Sequence, residues 1–85
     1  MPYFVYLLEC SNKTFYCGYT RNIERRVHAH NAGRGAKYTR SHRPVRLVYM
    51  ERKRTLGSAM RRELEIKSFP KSRKAQMASF YSGGM

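Results

Sequence analysis

The 85-residue sequence predicts a small α+β domain, in which a three-stranded antiparallel sheet is flanked by helices. Two observations support this prediction. Short apolar runs bounded by turn residues alternate with helical periodicities in the order ββαβαα, and the connections between them are short. A chain of this length makes one domain, which we place at residues 1–85, and its hydrophobic core is necessarily small.

The first two apolar runs predict a β-hairpin. Residues 3–8 are apolar at every position and rich in aromatic side chains, as in a strand that is buried on both faces. Residues 11–13 supply turn-forming side chains, and residues 15–19 provide the second strand. Residues 3–19 are therefore expected to form two paired strands.

The first helix follows this hairpin. Thr20 or Asn22 can act as its N-cap, its periodicity continues to about residue 32, and Gly33 is expected to end it. Residues 33–43 are rich in Gly, Arg, Lys, Ser and Thr, a composition that predicts a basic loop.

The second half of the chain predicts one strand and two helices. Residues 45–49, entered through Pro44, form the strand. Thr55 is the expected N-cap of a helix that runs to Ser68, and Pro70 separates it from a short helix over residues 71–81. Residues 82–85 are expected to fray.

The charge balance points to a polyanionic partner. Eighteen lysines and arginines face five acidic residues, all of them Glu, which gives a net charge of +13. Nucleic acid is the first expectation, and DNA before RNA. A membrane partner is not expected, because the apolar stripes of the helices are committed to the core. The longest apolar run is too short to span a bilayer, and a signal peptide is not evident.

The two cysteines, Cys10 and Cys17, are too few for a disulfide scaffold. We therefore expect two reduced thiols without a disulfide partner, in a cytoplasmic protein.

Two charged residues interrupt apolar stripes. Ile23, Arg26, Val27 and His30 share one face of the first helix, so Arg26 and His30 are expected to point toward the sheet. Charged groups are seldom buried unless they are paired or bind a metal.

The second helix shows the same interruption. Its stripe comprises Leu56, Ala59, Met60, Glu63 and Ile66, with Glu63 near the centre. The pattern allows a functional site, and equally an internal ion pair between the two charged residues that joins helix to helix.

At these residues the sequence resembles the GIY-YIG nuclease superfamily, and within it a small single-domain bacterial branch. Phe and Val replace the Gly and Ile of the first motif, and Cys replaces the Ile of the second. Both tyrosines and the second glycine remain. The resemblance is carried by Phe4-Val5-Tyr6 and Tyr16-Cys17-Gly18, followed by Arg26, His30 and Glu63.

The resemblance implies an endonuclease that hydrolyses phosphodiester bonds in DNA with one divalent cation, Mg²⁺ or Mn²⁺. Tyr6 would be the general base that activates water, with His30 as its hydrogen-bond partner. Arg26 would stabilise charge in the transition state, and Tyr16 would orient the water or a phosphate oxygen.

Glu63 would hold the metal ion, and Gly18 would let the backbone approach the site closely. The composition agrees with one cation, because a chain without Asp and with five scattered Glu cannot readily assemble a two-metal carboxylate cluster.

The basic loop supplies candidate contacts to nucleic acid. Its cations would bind phosphates without reading sequence, and its tyrosine could stack on an unpaired base. These candidates are Arg34, Lys37, Tyr38, Arg40 and Arg43.

The alternative function is a non-catalytic nucleic-acid-binding module, either DNA-structural or associated with RNA or the ribosome. Such a module has no use for Glu63 and needs Arg26 no more than its other cations. The oligomeric state also matters for a nuclease, because a monomer cuts one strand per visit and a duplex break needs a dimer or two visits.

Overall fold

Three strands and four helices follow one another in the computed structural model, which describes residues 2–83. The strands are β1 (Tyr3–Glu9), β2 (Phe15–Thr20) and β3 (Arg46–Lys53). The helices are α1 (Ile23–Asn31), α2 (Lys37–Arg40), α3 (Leu56–Lys67) and α4 (Lys71–Gly83).

The strands form one antiparallel sheet in the order β2-β1-β3, as the sequence predicts. The central strand β1 places Tyr6 opposite Gly18 of β2 and opposite Met50 of β3. Because side chains alternate between the two faces of a strand, β1 contributes to two separate layers of the core. This explains why its sequence is apolar from Tyr3 to Leu8.

One core layer lies between the sheet and the two C-terminal helices. Val5 and Leu7 of β1 pack there with Ala59 and Ile66 of α3, and all four side chains are fully buried. Burying one such aliphatic side chain contributes about 1.5–3 kcal/mol, so this layer is a main source of stability.

The other core layer lies between the sheet and α1. Tyr6 and Leu8 are buried here, and Ile23 and Val27 of α1 pack against them. The candidate catalytic tyrosine therefore belongs to the layer under α1.

The predicted helix ends are confirmed for α1 and α3. Asn22, rather than Thr20, caps α1, because its Oδ1 accepts a hydrogen bond from the Arg25 amide at 3.0 Å. Thr55 caps α3 in the same way through the amide of Ser58. Gly33 follows α1 with a φ of +82°, a left-handed conformation that favours glycine.

Two boundaries differ from the sequence prediction. The expected loop over residues 33–43 contains the single turn α2, and β3 continues to Lys53 rather than ending at residue 49. The turn forms because Thr39 is completely buried and its hydroxyl donates to the Ala36 carbonyl, contacts that leave no periodicity in the sequence. β3 is longer because its last residue still pairs with Tyr3 of β1.

The buried stripe of α3 is narrower than predicted. Ala59 and Ile66 are buried, but Leu56 and Met60 are 43% and 44% exposed. At the C-terminus, α4 includes residues 82 and 83, and residues 84 and 85, which complete the segment expected to fray, lie outside the described residues.

Both cysteines are free and buried. Within the part of the chain that the structure describes, none of the helices combines the length and the apolar character needed to cross a bilayer.

Candidate active site

A buried hydrogen bond between β1 and α1 forms the centre of the site. The Tyr6 hydroxyl lies 3.1 Å from Nε2 of His30, and each of these residues is 1% exposed. The ring of Tyr16 from β2 contacts the His30 ring edge-on, with 5.3 Å between centroids. Three of the predicted site residues are therefore in contact.

The other ring nitrogen of His30 determines its tautomer. Nδ1 lies 2.7 Å from the Thr39 hydroxyl oxygen, and that hydroxyl donates its own proton to the Ala36 carbonyl at 2.9 Å. The Thr39 oxygen therefore accepts the proton of Nδ1–H, which leaves the lone pair on Nε2. The Tyr6 hydroxyl is then the donor to Nε2.

Two glycines allow this packing. A Cβ atom on Gly18 would lie 2.5 Å from the Tyr6 hydroxyl oxygen, so a larger residue would displace the tyrosine. A Cβ atom on Gly35 would overlap Nδ1 of His30. The backbone of β2 and that of the segment before α2 thus both approach the site closely.

Sequence reasoning did not single out Thr39 and Gly35. Both lie in the segment that was predicted to be a basic loop, where glycine and threonine are ordinary loop residues. Their roles depend on tertiary contacts with His30, for which the local sequence carries no signal.

Arg26 borders the sheet residues Tyr3 and Tyr19, as its face of α1 predicts, but its side chain is not buried. Its side chain is exposed and borders a surface cleft, while Ile23, Val27 and His30 occupy the inner face of α1. The reason is angular, since position 26 lies at the edge of the apolar stripe, where a long side chain reaches solvent.

The charge of Arg26 nevertheless acts on the buried groups. Burial raises the pKa of Tyr6, with Tyr16 adding to the shift, and the Arg26 guanidinium opposes it. Burial lowers the pKa of His30, and Arg26 lowers it further. Tyr6 and His30 are therefore both neutral at neutral pH.

Glu63 approaches the same tyrosines from α3. Its side chain is 14% exposed, and its Oε2 lies 3.4 Å from Nζ of Lys67. Its ion-pair partner is thus Lys67, and the interhelical pair with Arg26 considered above is wrong. Glu63 pairs with Lys67 because Lys67 lies one turn further along the same helix, α3. The side chain of Arg26 is exposed on a different helix, α1.

Cys17 links α3 to the edge strand β2. Its Sγ lies 3.9 Å from the Glu63 carbonyl oxygen. Burial, reinforced by the Glu63 carboxylate, raises the pKa of Cys17 to about 12, so its thiol is unreactive at neutral pH. The Glu63 carboxylate also raises the pKa of Tyr16, although burial is the larger cause and Lys67 opposes it.

The donor set fits one hard cation better than several. Within residues 2–83, His, Cys, Asp and Glu side chains do not form any group of three that could hold a metal ion. A single carboxylate suits Mg²⁺, which keeps several waters and takes other oxygens from a phosphate. Lys67 would have to leave the Glu63 carboxylate when a cation binds there.

The five residues predicted to contact nucleic acid have different surroundings. Lys37 and Arg40 are exposed on α2, and Arg34 borders the same cleft as Arg26. Tyr38 is 43% exposed, stacks on the His42 ring at 4.4 Å, and its hydroxyl hydrogen-bonds to that of Thr14.

Arg43 also has a structural role. Its Nε donates to the Arg40 carbonyl at 3.0 Å, and its Nη1 donates to the Asn31 carbonyl at 3.3 Å. These carbonyls lie at the C-terminal ends of α2 and α1, so Arg43 holds the two helices together.

Comparison with known proteins shows the family of this chain. Residues 2–76 match the GIY-YIG catalytic domain. A UPF0213 protein of Haloquadratum walsbyi is 51% identical over 76 residues, which is 89% of this chain and 85% of the relative. A UPF0213 protein of Staphylococcus haemolyticus is 49% identical over 75 residues, 88% and 92% of the two chains.

Solved structures show the same fold. The solution NMR structure of a UPF0213 protein from Bacillus halodurans is 41% identical, with a TM-score of 0.59, and the match covers 94% of this chain and 85% of that one. The solution NMR structure of a protein from E. faecalis is 34% identical, with a TM-score of 0.63 and coverage of 96% and 88%. The chain therefore belongs to the GIY-YIG nuclease superfamily, with the UPF0213 proteins as its relatives.

Proposed function

We propose that the protein is a metal-dependent endonuclease that hydrolyses phosphodiester bonds in DNA. The observation that carries this proposal is the buried hydrogen bond from the Tyr6 hydroxyl to Nε2 of His30. Thr39 holds His30 in one tautomer, and a second tyrosine, Tyr16, contacts its ring. The opposite charges of Arg26 and Glu63 both act on Tyr6. A purely structural core would not need this arrangement.

In the proposed reaction, the Tyr6 oxygen accepts a proton from the attacking water while its own proton passes to Nε2 of His30. Both groups are neutral at rest, and the relay leaves Tyr6 neutral again while His30 becomes an imidazolium. Tyr6 is 1% exposed, so catalysis requires the substrate-bound protein to admit one water molecule to its hydroxyl.

The remaining residues act on the phosphate. Arg26 is exposed beside the tyrosines and can neutralise the charge that develops on the phosphate oxygens. Tyr16, which is partly buried, can hold the water or a phosphate oxygen in line. Glu63 would hold Mg²⁺ or Mn²⁺, and a bound cation would supply charge for the phosphate and the leaving oxygen.

The choice of nucleic acid as substrate follows from the charge. A net charge of +13 on 85 residues exceeds what solubility requires, and it favours binding of a polyanion. The same charge suits the alternative, a non-catalytic nucleic-acid-binding module. Two observations favour that alternative, namely the almost complete burial of Tyr6 and the pairing of Glu63 with Lys67.

A plasmid-nicking assay distinguishes the two functions. Wild-type protein is incubated with supercoiled DNA in Mg²⁺, in Mn²⁺ and in EDTA, beside Arg26→Gln and Glu63→Gln prepared identically. Glu65→Gln is the matched control, because Glu65 lies on the same helix but is exposed and pairs with Arg62. We expect metal-dependent nicking by wild type and Glu65→Gln, and a loss of about 10²-fold or more in the other two variants.

Equal nicking by all four proteins would reject the assigned site. Tight, salt-sensitive binding without nicking, on plasmid and on branched or single-stranded oligonucleotides alike, would favour the binding module. Folding of each variant is checked by circular dichroism.

A further inference from the structure

A basic cleft borders Arg26 at the edge of α1 that faces the sheet. Its volume is about 610 Å³, and it lies between the start of β1, the end of β2 and α1. Among the described residues, those that line it include four arginines and no acidic side chain. The arginines are Arg21, Arg25, Arg26 and Arg34.

Helical spacing accounts for this arrangement. Arg25 and Arg26 lie three and four residues after Asn22, and Ala29 lies three residues after Arg26, so the four share one face of the helical turn. That face borders the cleft, next to the face that packs on the sheet. Arg26 belongs to both the cleft and the candidate active site, which makes the two continuous.

One wall of the cleft is already ordered. Nη2 of Arg21 donates a hydrogen bond of 2.7 Å to the Tyr3 hydroxyl, and the guanidinium carbon lies 4.9 Å from the centre of the Tyr3 ring. A guanidinium has five N–H donors, so this bond leaves donors for phosphate oxygens. Binding would then require little further loss of side-chain freedom at Arg21.

The charge of the cleft defines its ligand. Four guanidiniums around one concave surface repel one another, and a chain of phosphates relieves this repulsion while releasing counterions. A regular series of phosphates matches several arginines in a row better than a single small anion does.

We infer that this cleft binds the phosphodiester backbone on one side of the phosphate that is cut. The inference rests on the proposed function and names the part of the surface along which the strand lies. It assigns binding roles to Arg21, in the connection between β2 and α1, and to Arg25 of α1. The contacts predicted from the sequence all lie in the segment 33–43.

The salt dependence of binding tests this assignment. A short fluorescein-labelled oligonucleotide, single-stranded or duplex, is titrated with each protein in EDTA, so that binding is measured without cleavage. The variant Arg21→Gln/Arg25→Gln removes two cleft cations. The matched control, Arg52→Gln/Arg54→Gln, removes two exposed cations outside the cleft.

We expect the slope of log K against log salt to become shallower for the cleft variant, by about 0.7 per lost contact on a single strand and about 0.9 on a duplex. The control should keep the wild-type slope. Arg25→Gln alone, which leaves the contact between Arg21 and Tyr3 intact, should give about half of the change and guards against misfolding of the double variant.

Equal slopes for the cleft and control variants, or no binding by the wild type, would overturn the inference. The proposed function is judged separately by nicking. Nicking with an unchanged slope would reject the cleft alone, and a shallower slope without nicking would reject the nuclease alone.

Discussion

His30 makes two hydrogen bonds with opposite requirements. Its Nδ1 donates to Thr39 and its Nε2 accepts from Tyr6, so the geometry selects a single neutral tautomer. A family motif can indicate that a histidine belongs to the site. It does not show which ring nitrogen carries the proton, because that depends on Thr39, nine residues away in the chain.

Thr39 is therefore expected to act as a positioning residue. Thr39→Val removes the acceptor for Nδ1–H, and we expect loss of the fixed tautomer and a fall in nicking of up to about 10²-fold. The stability should also fall, by about 1–3 kcal/mol, because buried polar groups lose their partner.

The tautomer is read directly from the ¹⁵N chemical shifts of the His30 ring. Thr39→Ser keeps the hydroxyl and should restore both the shifts and the activity. An unchanged tautomer in Thr39→Val would contradict the positioning role, whatever the stability of that variant.

The close pairing of β2 with β1 determines the position of Tyr6. Gly18 lies opposite Tyr6 in the register, and its missing side chain leaves room for the tyrosine hydroxyl. The site thus depends on the position of the β2 backbone as well as on the side chains of the strands.

Gly18→Ala is expected to push Tyr6 away from His30 and to reduce both activity and stability. Gly57→Ala is the matched control, since a Cβ atom there has its closest contact at 3.5 Å, an ordinary packing distance. Gly57 lies in α3, so alanine should raise stability by up to about 1 kcal/mol. Urea unfolding and nicking of both variants test these opposite effects, and equal behaviour of the two would contradict the packing explanation.

Elements with their own local signals were predicted well. The strands of the hairpin, the caps Asn22 and Thr55 and the stop at Gly33 each follow from neighbouring residues. The turn α2 and the long end of β3 could not be predicted in this way, because they depend on Thr39 packing under α1 and on pairing with β1.

The candidate site also combines residues that the sequence indicates with features that depend on tertiary packing. The tyrosines, His30 and Glu63 were indicated by the motif pattern, and the structure brings Tyr6, Tyr16 and His30 into contact. The exposure of Arg26 depends on how α1 packs on the sheet, whereas the ion pair of Glu63 with Lys67 lies within α3 and follows its i,i+4 spacing. Helical spacing alone therefore did not predict that Arg26 is exposed.

The free energy of unfolding of the whole protein should depend on pH through His30. Its pKa is lowered from 6.5 in the folded protein, mainly by burial and further by Arg26. The unfolded chain therefore takes up a proton at a higher pH than the folded protein does. The contribution of His30 to the free energy of unfolding is therefore complete above pH 6.5. It decreases as the pH falls toward the lowered pKa of the folded protein.

Urea unfolding over this acidic range measures the effect. The free energy of unfolding of the wild type should fall below pH 6.5, and His30→Gln should show a flatter profile. His28→Gln, which removes an exposed histidine from the same helix, is the matched control. If His30→Gln and wild type had parallel profiles, burial of His30 would not be the source of the pH dependence.

The contact between Thr39 and the Ala36 carbonyl has a consequence for the route of the proton. A carbonyl oxygen of the main chain accepts a hydrogen bond but does not carry a proton onward, so the chain of hydrogen bonds from Tyr6 has no exit at that end. A proton received by His30 can leave only by the path on which it arrived. His30 would thus act as a temporary store, which returns the proton through Tyr6 before the next turnover begins.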